Sequence, residues 1–227
     1  MAKSSLVVPD EKVVAFKEPF TERNLFGRFN KTCVVGRVVK DFTLSHEFGG
    51  RKYYTTIVEA KRASSVFDHV PVIVNDIQLE ELKKKDLKNR YVEVAGRYRS
   101  YRKDKENSAH IEYGLLATNI EFIQPDGCED TNVICLEGSI CKVPVCRRTP
   151  TGRIITEFVV KVKKAYQRAD LIPCIAWEKI AEYAGTLKVG TNVRVFGRIQ
   201  SRTHYDKKTN ALTEETYEVS IWRIKRL

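Results

Sequence analysis

The chain has 227 residues, 42% of them apolar, and a formal net charge of +11. That length suits two domains of about 100 residues, each able to bury a small core without disulfide or metal staples. The apolar share excludes a disordered chain, the lack of any run of 18 apolar residues excludes a membrane-spanning helix, and the charge calls for an acidic partner, nucleic acid before membrane surface.

Residues 1–29 have no counterpart elsewhere in the chain and read as an N-terminal extension, with Pro9 and Pro19 breaking any long helix. A first domain is expected over 30–124. Cys33–Val39 is apolar and β-branched and reads as a strand; Glu47–Gly50 reads as a turn, and Tyr53–Glu59 and Val70–Val74 as the next two strands. A short amphipathic helix over Ile77–Leu82 follows, then strands over Tyr91–Tyr98 and Tyr113–Ile123. Residues 125–130, with Pro125-Asp126-Gly127, form the linker. The second domain, 131–227, repeats the order: strand Val133–Ile140, turn Thr149–Gly152, strands Ile154–Val162 and Leu171–Trp177. Ile180, Ala184 and Leu187 then give a helix one buried stripe, and strands Val193–Gln200 and Tyr217–Leu227 complete the copy.

The two copies are in register. A shift of 102 positions lays Cys33 on Cys135, Gly36 on Gly138, Gly50 on Gly152, Arg51 on Arg153 and Pro71 on Pro173; a shift of 101 lays Gly96-Arg97 on Gly197-Arg198. This is a tandem repeat of one small domain. Three strands, a short helix and two strands is the plan of an OB-fold barrel, whose loops bind oligonucleotides. The fold expected is mainly β: two tandem five-stranded OB barrels, each with one short helix between strands 3 and 4. The glycines inside strands (Gly36, Gly96, Gly138, Gly197) suit the tight bends of a small barrel.

Catalysis and metal chemistry find no support. The six cysteines form no C-x-x-C pair, and none of the four histidines stands at a finger spacing from them, so the cysteines read as small buried hydrophobes in a reducing cytosol. No G-x-S-x-G, phosphate-binding loop or H-E-x-x-H occurs, and no cofactor is implied.

The second copy resembles the bacterial single-stranded DNA-binding protein family through Asn132–Gly138, Thr149–Gly152, Ile175–Glu182, Val193–Arg202, Tyr205–Lys207 and Glu218-Val219, all in family order. The first copy shares the resemblance only through the repeat. The arrangement is similar to that of two-domain members, which carry two OB folds per chain and dimerise to assemble four. The resemblance implies binding of single strands, with RNA left open, a homodimer, and a bacterial cytosolic or nucleoid setting. It places Tyr166 and Trp177 at stacking positions and His204 or Tyr205 near a further one; Leu171 stands where the family keeps tryptophan. In the first copy Ser64, His69 and Asn75 stand opposite Tyr166, Leu171 and Trp177. The family's acidic tail has no match in the basic ending Arg223–Leu227.

These residue types suit the chemistry. Every base has a π face, so an aromatic platform binds any sequence. Trp177 is either such a platform or a core tryptophan at the barrel bottom, and Tyr166 stands in a cluster with Lys163, Lys164 and Arg168. Arg198 and Arg202 lie on one side of their strand, and Arg97, Arg99 and Tyr101 form the matching row in the first copy. With Lys61, Arg62, Arg102 and Arg153 these are the candidate phosphate and base contacts, against the alternative of solvated strand-face charge. The reading is a tandem OB-fold protein that binds single-stranded DNA with little sequence preference in replication, recombination or repair. The alternatives are a primosomal-type accessory and a protein-interaction scaffold.

Overall fold

In the computed structural model, residues 30–83, 90–101, 111–124, 129–164, 168–205 and 212–227 are described, with 203–205 and 212–214 as backbone alone. The first half consists of β1 (Asn30–Val38), β2 (Thr43–Phe48), β3 (Arg51–Lys61), β4 (Phe67–Asn75), α1 (Asp76–Lys83), β5 (Tyr91–Tyr101) and β6 (Glu112–Phe122). The second consists of β7 (Thr131–Ile140), β8 (Val145–Arg148), β9 (Ile154–Lys163), β10 (Ala169–Trp177), α2 (Glu178–Gly185), β11 (Asn192–Tyr205) and β12 (Leu212–Arg226).

Each half closes on itself. Strands β1, β3, β4, β6 and β5 pair in that order, and β5 returns to β1; β7, β9, β10, β12 and β11 do the same. All these pairs are antiparallel except β4 with β6 and β10 with β12, which run parallel. Five strands make each barrel, as the tandem OB reading requires. A sixth strand in each half was not expected: β2 and β8 pair only with β3 and β9, as outer hairpin arms. Glu47 and Phe48 thus belong to β2, and the turn itself is Gly49-Gly50, both at positive φ. The arms escaped detection because they lie at a sheet edge. Every residue of β8 is exposed, so no buried face imposes alternation on its sequence.

The cores follow the period-2 pattern. On β9, Phe158, Val160 and Val162 face inward while Lys161 and Lys163 face solvent. Val34, Val58, Val72, Val94 and Leu115 fill the first barrel; Leu136, Val160, Ile172, Val195 and Val219 fill the second, each side chain contributing roughly 1.5–3 kcal/mol by burial. The helices add Leu79 and Leu82 to the first core and Ala181 and Ala184 to the second. Leu187, expected on the helical stripe, is buried two residues past the end of α2.

The two barrels join edge to edge. β1 pairs antiparallel with β7 inside the one chain, from Asn30↔Leu136 to Val35↔Thr131. Thr32 faces Ile134, its own counterpart under the 102-residue shift, and the pairs on either side are images of each other: Asn30↔Leu136 and Val34↔Asn132. The halves are therefore related by a pseudo-twofold axis through the Thr32–Ile134 pair. Gly36 and Gly138 mark where each first strand bends onto the next. A Cβ at Gly36 would lie 2.2 Å from the Glu59 carbonyl oxygen, and one at Gly138 2.4 Å from that of Lys161.

The cysteine expectation needs one correction: Cys33, Cys135 and Cys174 are buried, but Cys146 on β8 is exposed and Cys141 is partly so; Cys128 lies outside the described residues. Burial pushes the Cys33 thiol up to about 11 and that of Cys135 to about 12. Because the folded values lie above the ordinary 9.0, the neutral thiols favour the native state below pH 9 and that contribution fades as pH rises toward 11. Iodoacetamide labelling of the native protein at about pH 8, read by peptide mass mapping, should modify Cys146 first and Cys33, Cys135 and Cys174 only after denaturation.

Candidate nucleic-acid interface

The expected basic residues divide into two groups, and two buried carboxylates decide the division. Asp68 on β4 and Asp170 on β10 occupy equivalent positions in the two halves, and both are almost wholly buried. A carboxylate so placed must be met by cations and donors. Asp170 takes the Arg99 guanidinium at 2.9 Å, the Lys164 ammonium at 2.5 Å, and the backbone N–H and hydroxyl of Ser100 at 2.8 and 3.1 Å. Arg99 and Ser100 belong to the first barrel and Asp170 to the second. Asp68 mirrors this: Arg62 Nε donates to it at 2.9 Å from its own barrel, and Arg198 of the second barrel lies 3.4 Å away. Burial and the neighbouring Arg62 pull the Arg198 guanidinium down from its ordinary value, opposed by Asp68.

Further bonds flank the same seam, some within one barrel and some across it. Asn30 binds the backbone N–H and carbonyl of Tyr98, and Asn132 binds those of Ile199, at 2.6–3.0 Å. The His69 N–H donates to the Ser201 hydroxyl across the seam at 3.1 Å, and the Arg168 guanidinium lies over the Phe48 ring at 5.6 Å.

Of the candidate contacts, Arg62, Arg99, Lys164 and Arg198 thus gather at this seam. Arg202 is paired with Glu218 at 2.5 Å. Tyr101 stacks on His46 at 4.7 Å between ring centroids. Arg97, Lys61 and Lys163 are exposed, and the Lys61 backbone N–H donates to Asp130 at 2.6 Å. The row Arg97, Arg99, Tyr101 therefore splits three ways. Tyr166 and Arg102 lie outside the described residues. His204 and Tyr205 are placed as β11 backbone, paired with Glu214 and Leu212.

Trp177 and Arg153 form a separate unit on the second barrel. Register brings them together: Trp177 pairs with Ile155, two residues beyond Arg153. The Arg153 guanidinium lies over the half-buried indole, 4.6 Å from its centroid, and its Nε donates to Glu178 at 3.1 Å. The indole Nε1 donates to the Ser220 hydroxyl at 3.2 Å, which fixes the ring in plane. Trp177 is therefore neither a fully buried core residue nor a free surface ring. Glu178 sits at φ 52, a left-handed conformation that costs a non-glycine residue of order 1 kcal/mol.

The first barrel keeps half of this unit. Arg51 and Asp76, the counterparts of Arg153 and Glu178, form an ion pair at 3.1 Å. Asn75 replaces Trp177, and its side chain accepts from the Gln78 N–H at 2.9 Å while Gln78 Oε1 accepts from the Asn75 N–H at 3.0 Å. This reciprocal cap closes α1, whereas α2 has no side-chain cap. Sequence reasoning missed Asp68 and Asp170. The available signal was an acid repeated at one register position beside apolar strand residues in both copies.

Among the described residues, no group of three or more His, Cys, Asp and Glu side chains forms a metal site, and no helix is long and apolar enough to cross a membrane. Replacing Asp170 by Ala would leave Arg99 and Lys164 facing a buried void, and should cost roughly 3–5 kcal/mol in urea unfolding. Arg202→Ala should cost far less than that.

Residues 131–227 match the model of the single-strand binding protein family. The chain is 37% identical over 82 residues to single-stranded DNA-binding protein 2 of Listeria innocua, covering 33% of this chain and 52% of that protein. It is 37% identical over 86 residues to a single-stranded DNA-binding protein of Caldanaerobacter subterraneus, covering 35% and 57%. The chain thus spans about half the length of the curated relatives it matches. The single-stranded DNA-binding protein of Thermus aquaticus superposes with a TM-score of 0.68 at 22% identity, over 88% of this chain and 94% of that one; this shows a shared fold across both halves. The family match thus lies on the second barrel, residues 131–227, and the likeness to the Thermus aquaticus protein extends the shared OB architecture over both halves.

Proposed function

We propose that this protein binds single-stranded DNA with little sequence preference, and that the Arg153–Trp177 unit of the second barrel is its principal contact. The observation that carries this is a half-buried indole, held in plane by Ser220 and roofed by a guanidinium, on the barrel that matches the family. An arginine over an aromatic ring offers a base a second flat partner and a phosphate a charge, without reading base edges. Exposed Lys163 extends the charge on the same barrel, and Arg97 and Lys61 supply it on the first. Tyr166, Arg102, His204 and Tyr205 complete the proposed set from the family resemblance. The barrels act as one body, with 30–124 and 131–227 as its domains, 125–130 joining them and 1–29 as an extension. The chain forms a homodimer of four barrels in the bacterial cytosol, organising strands during replication, recombination or repair.

The clamp that Asp68 and Asp170 form on the cations of the seam supports a second reading, an assembly scaffold. It occupies Arg62, Arg99, Lys164 and Arg198, which leaves fewer cations for phosphate. The two readings separate on substrate. Strand binding predicts tight association with oligo-dT and weak association with duplex in fluorescence anisotropy, whereas a scaffold binds both weakly and alike. Trp177→Ala should weaken oligo-dT binding by roughly 1–3 kcal/mol while the protein keeps its melting temperature. Unchanged affinity would remove Trp177 from the site. The log–log salt slope should approach about −0.7 per phosphate neutralised, and Arg153→Ala should flatten it by roughly one such step.

A further inference from the structure

A cleft of about 470 Å³ is lined by residues of both barrels. The cleft follows the pseudo-twofold symmetry. Pro71 and Pro173, counterparts under the 102-residue shift, both line it. So do Tyr113 and Tyr217, each two residues before the point where its strand joins the parallel pair, Leu115 opposite Val72 and Val219 opposite Cys174. Tyr101 forms a third aromatic wall. It is held from behind by a column of rings: His46 stacks on it at 4.7 Å and 25°, and Tyr53 stacks on His46 at 4.9 Å and 5°. Beneath lies Tyr98, fully buried, its ring 6.2 Å from that of Tyr113. Its hydroxyl has no hydrogen-bond partner among the described residues and sits in the field of Tyr101, Tyr113 and Tyr217.

Among the described residues that line the cleft, the only charged side chains are acidic. Glu112, Glu215 and Glu218 line it in a protein of net charge +11. Arg202 offsets Glu218; Glu215 accepts from the Tyr217 hydroxyl at 2.9 Å and has the His69 ring at 3.6 Å. The described lining residues offer a phosphate no cation, so the cleft is a poor path for a nucleic-acid backbone. Its size falls within the range of roughly 300–1,000 Å³ usual for small-molecule sites. Flat aromatic faces beside carboxylates suit a delocalised planar cation, which stacks on the rings and donates forked hydrogen bonds. A guanidinium meets this description better than an ammonium, being flat and more weakly hydrated.

We propose that the cleft is a binding site for a guanidinium group, presented either as the arginine side chain of a polypeptide or as a small guanidino compound. The site goes beyond strand binding, and its test contains no DNA, so failure of one leaves the other standing. The probes are N-acetyl-arginine amide, its neutral isostere N-acetyl-citrulline amide, and agmatine, titrated into the full-length protein and followed by calorimetry and by tyrosine ring signals in NMR. Saturable one-to-one binding of the arginine amide in the millimolar range or tighter is expected, with shifts confined to Tyr101, Tyr113 and Tyr217 and no response to citrulline. If agmatine binds and the amide does not, the source is a small guanidino compound; if both bind and an arginine-bearing tripeptide binds more tightly, it is a polypeptide. Glu215→Gln and Tyr101→Leu should each weaken binding by about tenfold, with thermal melts checking the fold. Equal binding of citrulline amide, shifts spread over the surface without saturation, or wild-type affinity in folded Glu215→Gln protein would each overturn the proposal.

Discussion

The antiparallel pairing of β1 with β7 is the constraint on which the rest of this structure depends. It satisfies two strand edges that would otherwise stand open, and it fixes one barrel against the other in a single symmetric register. Because Thr32 meets its own counterpart, equivalent residues of the two barrels, such as Asp68 and Asp170, are brought to equivalent places beside the seam. Asp68 and Asp170 exploit this. Each lies buried in one barrel and is reached by an arginine of the other, so separating the barrels would leave Asp68 with Arg62 alone and Asp170 with Lys164 alone.

That clamp redistributes the charge of a strongly basic chain. Arg99 and Arg198 neutralise buried acids across the seam, Lys164 and Arg62 do so from within their own barrels, and Arg202 is committed to Glu218. The cations left at the surface, such as Lys61, Arg97 and Lys163, carry the positive field outward. Among the described residues, those that line the cleft are tyrosines, glutamates and uncharged side chains. Net charge predicts the sign of a partner at long range, but the placement of buried carboxylates decides which arginines remain available to meet it.

The two copies have diverged at the junction of the third barrel strand and the helix. In the first, Asn75 and Gln78 cap α1 reciprocally, which satisfies helix N–H groups and leaves no ring. In the second, Trp177 holds that position, α2 goes without a side-chain cap, and Glu178 adopts a left-handed conformation next to it. The second copy gives up local helix stability at this point, and what it gains is an indole bonded to Ser220 beneath Arg153. Loss of local stability at a position bearing an oriented aromatic is a pattern typical of functional surfaces.

The repeat, the β class, the five barrel strands and the helix between the third and fourth were legible in the sequence, because barrel strands with one buried face must alternate and because Gly36 and Gly138 hold equivalent tight bends. The fully exposed β8 carried no such imprint. At the candidate site, the family resemblance singled out Trp177, and residue types its basic surroundings. They left open whether Trp177 faced the core, and did not distinguish Arg153, which reaches the indole, from Arg198, which reaches Asp68. Strand alternation reports only on which side of its own sheet a residue lies. Arg153 meets the indole through the β9–β10 register inside one barrel, whereas Arg198 meets Asp68 because the facing barrel is set by the register of β1 on β7, a contact between residues about a hundred positions apart that only the tertiary structure decides.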